Sequence, residues 1–156
     1  MAEEFRHILR IANTDLEGKK QLLTALRKIK GVNFMFANMV CNLTGVDKNK
    51  RVGDLSDNEA EKLNDAITDP LKYKAPLWML NRRRDYETGE DKHLTTGNIN
   101  LAVGNDIKRL RAIKSYRGFR HAEGLPLRGQ KTKSNFRRNK GKVTGVKRKG
   151  GKSGKV

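Results

Sequence analysis

Lys19-Lys-Gln-Leu-Leu-Thr-Ala-Leu-Arg-Lys-Ile-Lys-Gly-Val-Asn-Phe-Met-Phe-Ala-Asn-Met-Val-Cys-Asn-Leu-Thr-Gly45 is the stretch that decides the fold. From Lys19 to Lys30 the apolar residues Leu22, Leu23, Leu26 and Ile29 keep the helical period, and Gly31 stands where a left-handed cap belongs. A second helical pattern follows, with Phe36, Met39, Val40 and Leu43 on one face and Gly45 as its stop. Only Gly31, Val32 and Asn33 lie between the two patterns, which predicts a tight helical hairpin. A third helix is expected after Leu55. Ser56 and Glu59 have capping-box spacing, Ala60, Leu63 and Ile67 make the inner face, and Asp69-Pro70 ends the run. Three short helices with glycine turns can bury one small core.

Outward from this centre the signals weaken. Phe5 to Ala12 mixes apolar residues with Arg6, His7 and Arg10 and reads as extended, and Asn13, Thr14 and Asp15 supply turn chemistry. Between Leu71 and Thr96, Trp78 stands among Leu77, Met79 and Leu80 and is expected to plug the core, with base stacking as the alternative role. Arg82, Arg83 and Arg84 could touch phosphate or pair with the acids of Asp85-Tyr-Glu-Thr-Gly-Glu-Asp91. That acidic run is not a calcium loop, because Gly89 falls at position five where an EF-hand needs it at six. Asn98 to Lys114 reads as a long helix with Ile99, Val103, Ile107, Leu110 and Ile113 in register, cations crowding its last turns, and Gly118 as its stop. The expected architecture is mainly α: a small helical domain with a helix-two-turn-helix-like core, one long helix and an extended basic C-terminal tail. The expected division is residues 1–115, with 71–96 an insertion-like loop region, and a tail of residues 116–156.

Charge separates these parts more sharply than hydropathy does. Residues 1–107 carry 17 Lys plus Arg against 16 Asp plus Glu, whereas residues 108–156 carry 18 basic residues against the single Glu123. A tail of that density repels itself until a polyanion neutralises it, so nucleic acid is the expected partner. A membrane partner is not expected, since the chain after Phe136 has only Val143, Val146 and Val156 as apolar side chains besides glycines. No run approaches the roughly 18 apolar residues of a spanning helix, the first residues lack the order of a signal peptide, and the lone Cys41 excludes an internal disulfide and a multi-thiolate zinc site. The expected location is cytoplasmic.

The stretch Tyr116-Arg-Gly-Phe-Arg-His-Ala-Glu-Gly-Leu-Pro-Leu-Arg-Gly-Gln-Lys-Thr-Lys-Ser-Asn-Phe-Arg-Arg138 cannot build a core. It can present guanidinium forks, backbone N–H groups and two Phe rings to folded RNA. Phe119 and Phe136 suit base stacking or packing against the protein, and both readings stay open. Motifs for chemistry fail. Gly124-Leu-Pro-Leu-Arg-Gly129 has P-loop spacing, but Gln130 stands where the lysine belongs. His7, His93 and His121 are scattered without a nucleophile or ligand spacing, and Cys41 reads as a small core residue. No enzyme activity, cofactor or metal is expected. The loops Lys30-Gly31-Val32-Asn33 and Gly45-Val46-Asp47 could cap helices or point N–H groups at a phosphate, and this pair of turns resembles the helix-two-turn-helix module of nucleic-acid-binding proteins.

Arg117-Gly-Phe-Arg-His121, then Gly124-Leu-Pro-Leu-Arg-Gly-Gln130, Thr132, Asn135 and Arg137, resemble the signature of the S-thirteen family of small-subunit ribosomal proteins. The likeness extends to Phe5-Arg-His-Ile, Ile29-Lys-Gly-Val32 and Arg51 to Asp57. The insertion with Trp78, Asn81-Arg82 and Asp85-Tyr-Glu-Thr-Gly89 resembles the archaeal and eukaryotic branch, and Gly124-Leu-Pro-Leu looks archaeal. The resemblance implies a structural, rRNA-binding constituent of the subunit head that works in translation. It implies RNA contacts from Arg117, Gly118, Arg120, His121, Arg128, Gly129, Gln130, Thr132, Asn135, Arg137 and Arg138. It further implies a neighbour of the S-nineteen family, an intersubunit bridge to a large-subunit protein of the L-five family, and a tail approaching peptidyl-site tRNA, for which Lys147, Arg148 and Lys149 are candidates. Two rivals remain on the residues alone: a DNA-binding protein using the same helical module, and a glycosylase-type enzyme, for which no catalytic group in a base-sized pocket is apparent.

Overall fold

The computed structural model describes residues 5–133, and contacts divide the chain into two units, one ending at Asp106 and one beginning at Ile107. The first unit opens with a two-stranded antiparallel hairpin, β1 (Ile8–Ile11) and β2 (Thr14–Glu17), in which Leu9 faces Leu16. Alternation decides which face goes inward: Leu9, Ile11 and Leu16 are buried, while Ile8, Arg10 and Glu17 are exposed. Ala12 and Asn13 make the two-residue turn, both at positive φ (45° and 57°), the conformation that matches strand twist in short hairpins. The turn is tied down by the Asn64 side chain, whose Oδ1 accepts from the Ala12 N–H at 3.0 Å.

Three helices complete this core. α1 (Leu22–Leu26) is shorter than the Lys19–Lys30 pattern predicts. Gln21 is held in an extended bridge with Arg51, and beyond Leu26 the Lys28 and Ile29 amides bond back three residues, to Ala25 and Leu26, in tight turns. Seven residues, 27–33, therefore separate α1 from α2 rather than three. Ile29 is buried all the same, so the apolar period located the core residues without giving the helix length. α2 (Phe34–Thr44) starts at Asn33, whose side chain accepts from the Phe34 N–H, and stops at Gly45 in the left-handed conformation (φ 71°). Phe36, Ala37, Met39, Val40 and Cys41 point inward, while Leu43 stays partly exposed. α3 (Asp57–Thr68) carries the capping box in full, with Ser56 accepting from the Glu59 N–H and Glu59 from the Ser56 N–H. Lys50 adds a 2.6 Å ion pair to the same carboxylate.

Leu22, Leu26, Ile29, Val40, Val52, Leu55, Leu63 and Ile67 are almost wholly removed from water. At roughly 1.5–3 kcal/mol for each large aliphatic side chain, these contacts hold the unit together. Trp78 is not among them. It is 69% exposed, on a single 3-10 turn, Leu77–Met79, and of its apolar neighbours Leu80 is the one that is buried. The expectation that it plugs the core is thus overturned: three apolar neighbours could not say which side of a single turn faces inward.

Residues 82–92 form a second small hairpin in which Arg82 and Lys92 exchange backbone hydrogen bonds of 3.1 and 2.7 Å. Arg82 reaches Asp85 at 2.8 Å and clasps Asp106 with both terminal nitrogens at 2.5 and 3.0 Å. The chain then crosses the α1–α2 connection. Thr96 N–H donates to the Lys30 carbonyl at 2.9 Å, and the His93 ring stacks on Phe36 with centroids 3.8 Å apart. Gly31 (φ 96°) is required there, because a Cβ would stand 2.5 Å from the Leu94 carbonyl oxygen. α4 (Gly97–Ala112) follows as the long helix expected, although none of its residues is fully buried.

Candidate nucleic-acid interface

The second unit begins within α4 at Ile107 and continues through α5 (Tyr116–Glu123) to the Gly124–Lys133 segment. The sequence expectation of an extended chain from residue 116 is corrected for 116–123, which are helical. Gly118, expected as a stop, lies inside α5. The local reason is Ser115. Its Oγ accepts from the Gly118 N–H at 3.2 Å, as an N-cap does, and donates to the Leu110 carbonyl at 2.9 Å. One hydroxyl thus closes α4 and starts α5, with Lys114 at φ 55° making the corner. A serine three residues before Gly118 was a legible N-cap signal that the glycine pattern masked.

Gly118 is buried, and a Cβ on it would stand 2.2 Å from the Leu110 carbonyl oxygen. Its missing side chain lets the first turn of α5 approach the end of α4. At the other end Gly124 takes the left-handed conformation, its N–H donates to the His121 carbonyl, and the Leu125 N–H donates to the Arg120 carbonyl at 2.9 Å. That is the bond pattern of a Schellman motif, and it turns the chain into Leu125-Pro126-Leu127, all half-buried.

The candidate RNA-binding residues fall into two groups. Arg117, Arg128, Gly129, Gln130 and Thr132 are exposed. Arg120 and His121 are half-buried and shape the turn: Arg120 Nε donates to the Pro126 carbonyl at 2.9 Å, its guanidinium lies 5.8 Å from the Tyr116 ring centre, and the His121 carbonyl accepts from Arg111 at 3.2 Å. Gln130 Oε1 accepts from the Arg128 N–H at 3.0 Å across Gly129, whose φ is 74°. Asn135, Arg137, Arg138, Lys147, Arg148 and Lys149 lie outside the described residues, as does Phe136. Phe119, which the sequence left open between stacking and packing, is exposed beside the arginines of α5, and so is Tyr116. From Ile107 to Lys133 the unit carries nine Lys plus Arg against Glu123 alone.

The two glycine loops of the first unit serve as caps. The Lys30 carbonyl is taken by Thr96, Val32 N–H bonds to Ile29, and both Gly45 and Val46 N–H bond to Cys41. Among the described residues no group of three or more His, Cys, Asp or Glu could hold a metal ion, and no helix is long and apolar enough to cross a membrane.

Fold and surface together define a class, a mainly helical protein whose excess positive charge is gathered in a C-terminal unit. Residues 10–138 match the family described as ribosomal protein S13/S18. The chain belongs to that family, in its archaeal form, and the resemblance carried by the Arg117–Arg138 signature is borne out. Small ribosomal subunit protein uS13 of Methanothermobacter thermautotrophicus is 50% identical over 149 residues, covering 96% of this chain and 99% of its own. The protein of the same name from Nanoarchaeum equitans is 50% identical over 144 residues, with 92% and 93% covered, and that of Hyperthermus butylicus 45% identical over 130, with 83% and 86% covered. Family membership makes the chain a structural protein of translation, not an enzyme.

Proposed function

We propose that this chain is a structural constituent of the small ribosomal subunit in the cytoplasm, and that it binds rRNA of the subunit head through the segment from Arg117 to Arg138. The observation that carries the reading is the second unit. Nine cations face one carboxylate over 27 residues, and α5 and the turn after it are braced by Ser115, Gly118, Gly124 and Arg120. Exposed Arg117 and Arg128 supply planar forks for phosphate. The half-buried Arg120 and His121 fix the path, and Tyr116 and Phe119 offer ring faces to unpaired bases. Phosphate neutralisation at this density makes binding strongly salt-dependent.

The finer reading follows the family resemblance. A neighbouring protein of the S-nineteen family and a large-subunit protein of the L-five family at an intersubunit bridge are the proposed protein partners. Lys147, Arg148 and Lys149 are the proposed approach to peptidyl-site tRNA. The test of the core proposal is sedimentation of a cell extract through sucrose at moderate salt and again after a high-salt wash, with the protein followed by blotting. It should travel stoichiometrically with the small subunit and survive the wash. Recovery near the top of the gradient, or with DNA, would refute the assignment.

A further inference from the structure

The insertion between Leu71 and Thr96 holds cations that the fold does not use. Arg82 is consumed internally by Asp85 and Asp106. Its neighbours differ: Arg83 and Arg84 are exposed, and their side chains have no ion pair or hydrogen bond among the described residues. The two line a hollow of about 510 Å³ together with Leu77 and Asp91, and Leu77 and Asp91 also border an adjoining hollow of about 760 Å³. Next to Leu77 in the same 3-10 turn stands Trp78, the most exposed large apolar side chain of that turn.

Three of the four acids of this hairpin are engaged, and the fourth, Glu87, is exposed at its tip. Asp85 takes Arg82, Glu90 pairs with Lys92 at 3.3 Å, and Asp91 accepts the Arg84 N–H at 2.7 Å. What remains outward is two guanidinium groups, an apolar wall and an indole. The Arg82–Asp106 clasp and the paired backbones of residues 82 and 92 hold this surface in shape before any ligand arrives.

We infer that Leu77, Trp78, Arg83 and Arg84 form a second RNA-binding surface, outside the Arg117–Arg138 segment, on which an unpaired base stacks on Trp78 and the two arginines fork onto flanking phosphates. Two guanidinium groups without an ion pair beside an exposed indole favour RNA over a protein occupant, the arginines taking phosphates and the ring a base. The inference rests on the reading that the chain binds rRNA.

The experiment uses the full chain and a transcript of the small-subunit head rRNA, titrated by filter binding over a range of salt. Trp78→Ala and the double variant Arg83→Gln/Arg84→Gln alter exposed side chains, and thermal unfolding is run beside each to show an intact core. Trp78→Ala should weaken binding roughly five- to 150-fold, the effect of removing one stacked base. The double variant should lower the slope of log affinity against log salt by about 0.7–0.9 for each lost phosphate contact. Wild-type affinity and slope in both variants would overturn the inference and leave the Arg117–Arg138 reading standing. Failure of the wild-type chain to bind the transcript would remove that reading itself, and the inference with it. If the variants hold the transcript normally but small subunits carrying them lose a neighbouring protein, the surface is a protein contact and the inference is wrong.

Discussion

Asp106, two-thirds of the way along α4, accepts both terminal nitrogens of Arg82 from the insertion hairpin, at 2.5 and 3.0 Å. The Arg82 and Asp106 side chains are about one-quarter and one-third exposed, so the pair is screened less than a surface bridge. It joins the insertion to the helix that leads out of the first unit. Replacing Arg82 by Gln should destabilise the protein by about 1 kcal/mol and lower its melting temperature by about 4 °C. An unchanged thermal transition would show that the clasp contributes nothing net.

His93 presents a different balance. Its ring stacks on Phe36, and its two buried ring nitrogens make no hydrogen bond of good geometry among the described residues, although the Gly31 backbone is close enough to act on them. Burial holds its pKa below the usual 6.5. The unfolded chain therefore takes up a proton at a higher pH than the folded one, so this stability is complete above pH 6.5 and declines as pH falls below it. His93→Phe keeps the stack and removes two unsatisfied polar atoms, and should be neutral or stabilising by about 1 kcal/mol. Urea midpoints measured from pH 7.5 to 5.5 should fall for the wild type and flatten for the variant.

Glu59 acts at lower pH. Burial raises its pKa, but the bonds from Lys50 and Ser56 outweigh that and hold it below the usual 4.5. Its contribution is present above the unfolded value and lost as pH drops through the folded one. Ser56→Ala should cost about 1 kcal/mol at neutral pH through the lost cap. Glu59→Gln should also remove part of the stability loss seen between pH 5 and 3. Denaturation curves superimposable on wild type for both variants would contradict this account of the α3 start.

Gly118→Ala sets a methyl against the Leu110 carbonyl. Relieving it requires α5 to shift, at a cost of roughly 1–3 kcal/mol for overpacking. Hydrogen exchange should quicken across Tyr116–Glu123 while the amides of α2 and α3 keep their protection, and affinity for head rRNA should fall. Equal protection of α5 in the two proteins would mean that the junction accommodates the methyl.

Cys41 is buried on α2, and its thiol is pushed up to about 11 by that burial. At pH 8 a thiol reagent should leave the native protein unlabelled and react on unfolding in urea, at a rate set by opening of the core. Prompt labelling of the folded chain would show α2 to be loosely packed.

Legibility in the sequence followed the range of the forces. α2 and α3 were readable because caps and stops are local: Ser56 with Glu59, and Gly45, each act within one turn. The β1–β2 hairpin was legible only as an extended segment and a turn, since Ala12-Asn13 lacks the glycine that usually marks its conformation. Trp78 misled because facing is fixed by distant packing. In the second unit the arginines and glycines were legible as types. That Gly118 packs on Leu110 and Arg120 holds Pro126 was not, because both depend on the α4–α5 corner that Ser115 makes.

The hairpin of residues 82–92 also offers a practical foothold. Its tip, Tyr86-Glu-Thr-Gly89, is exposed. The stem below is fastened by the Arg82–Lys92 bridge and the Asp106 clasp. A fluorophore or short peptide tag spliced between Thr88 and Gly89 should ride on a fixed stem without disturbing the core, converting this loop into a reporter of subunit assembly as it happens.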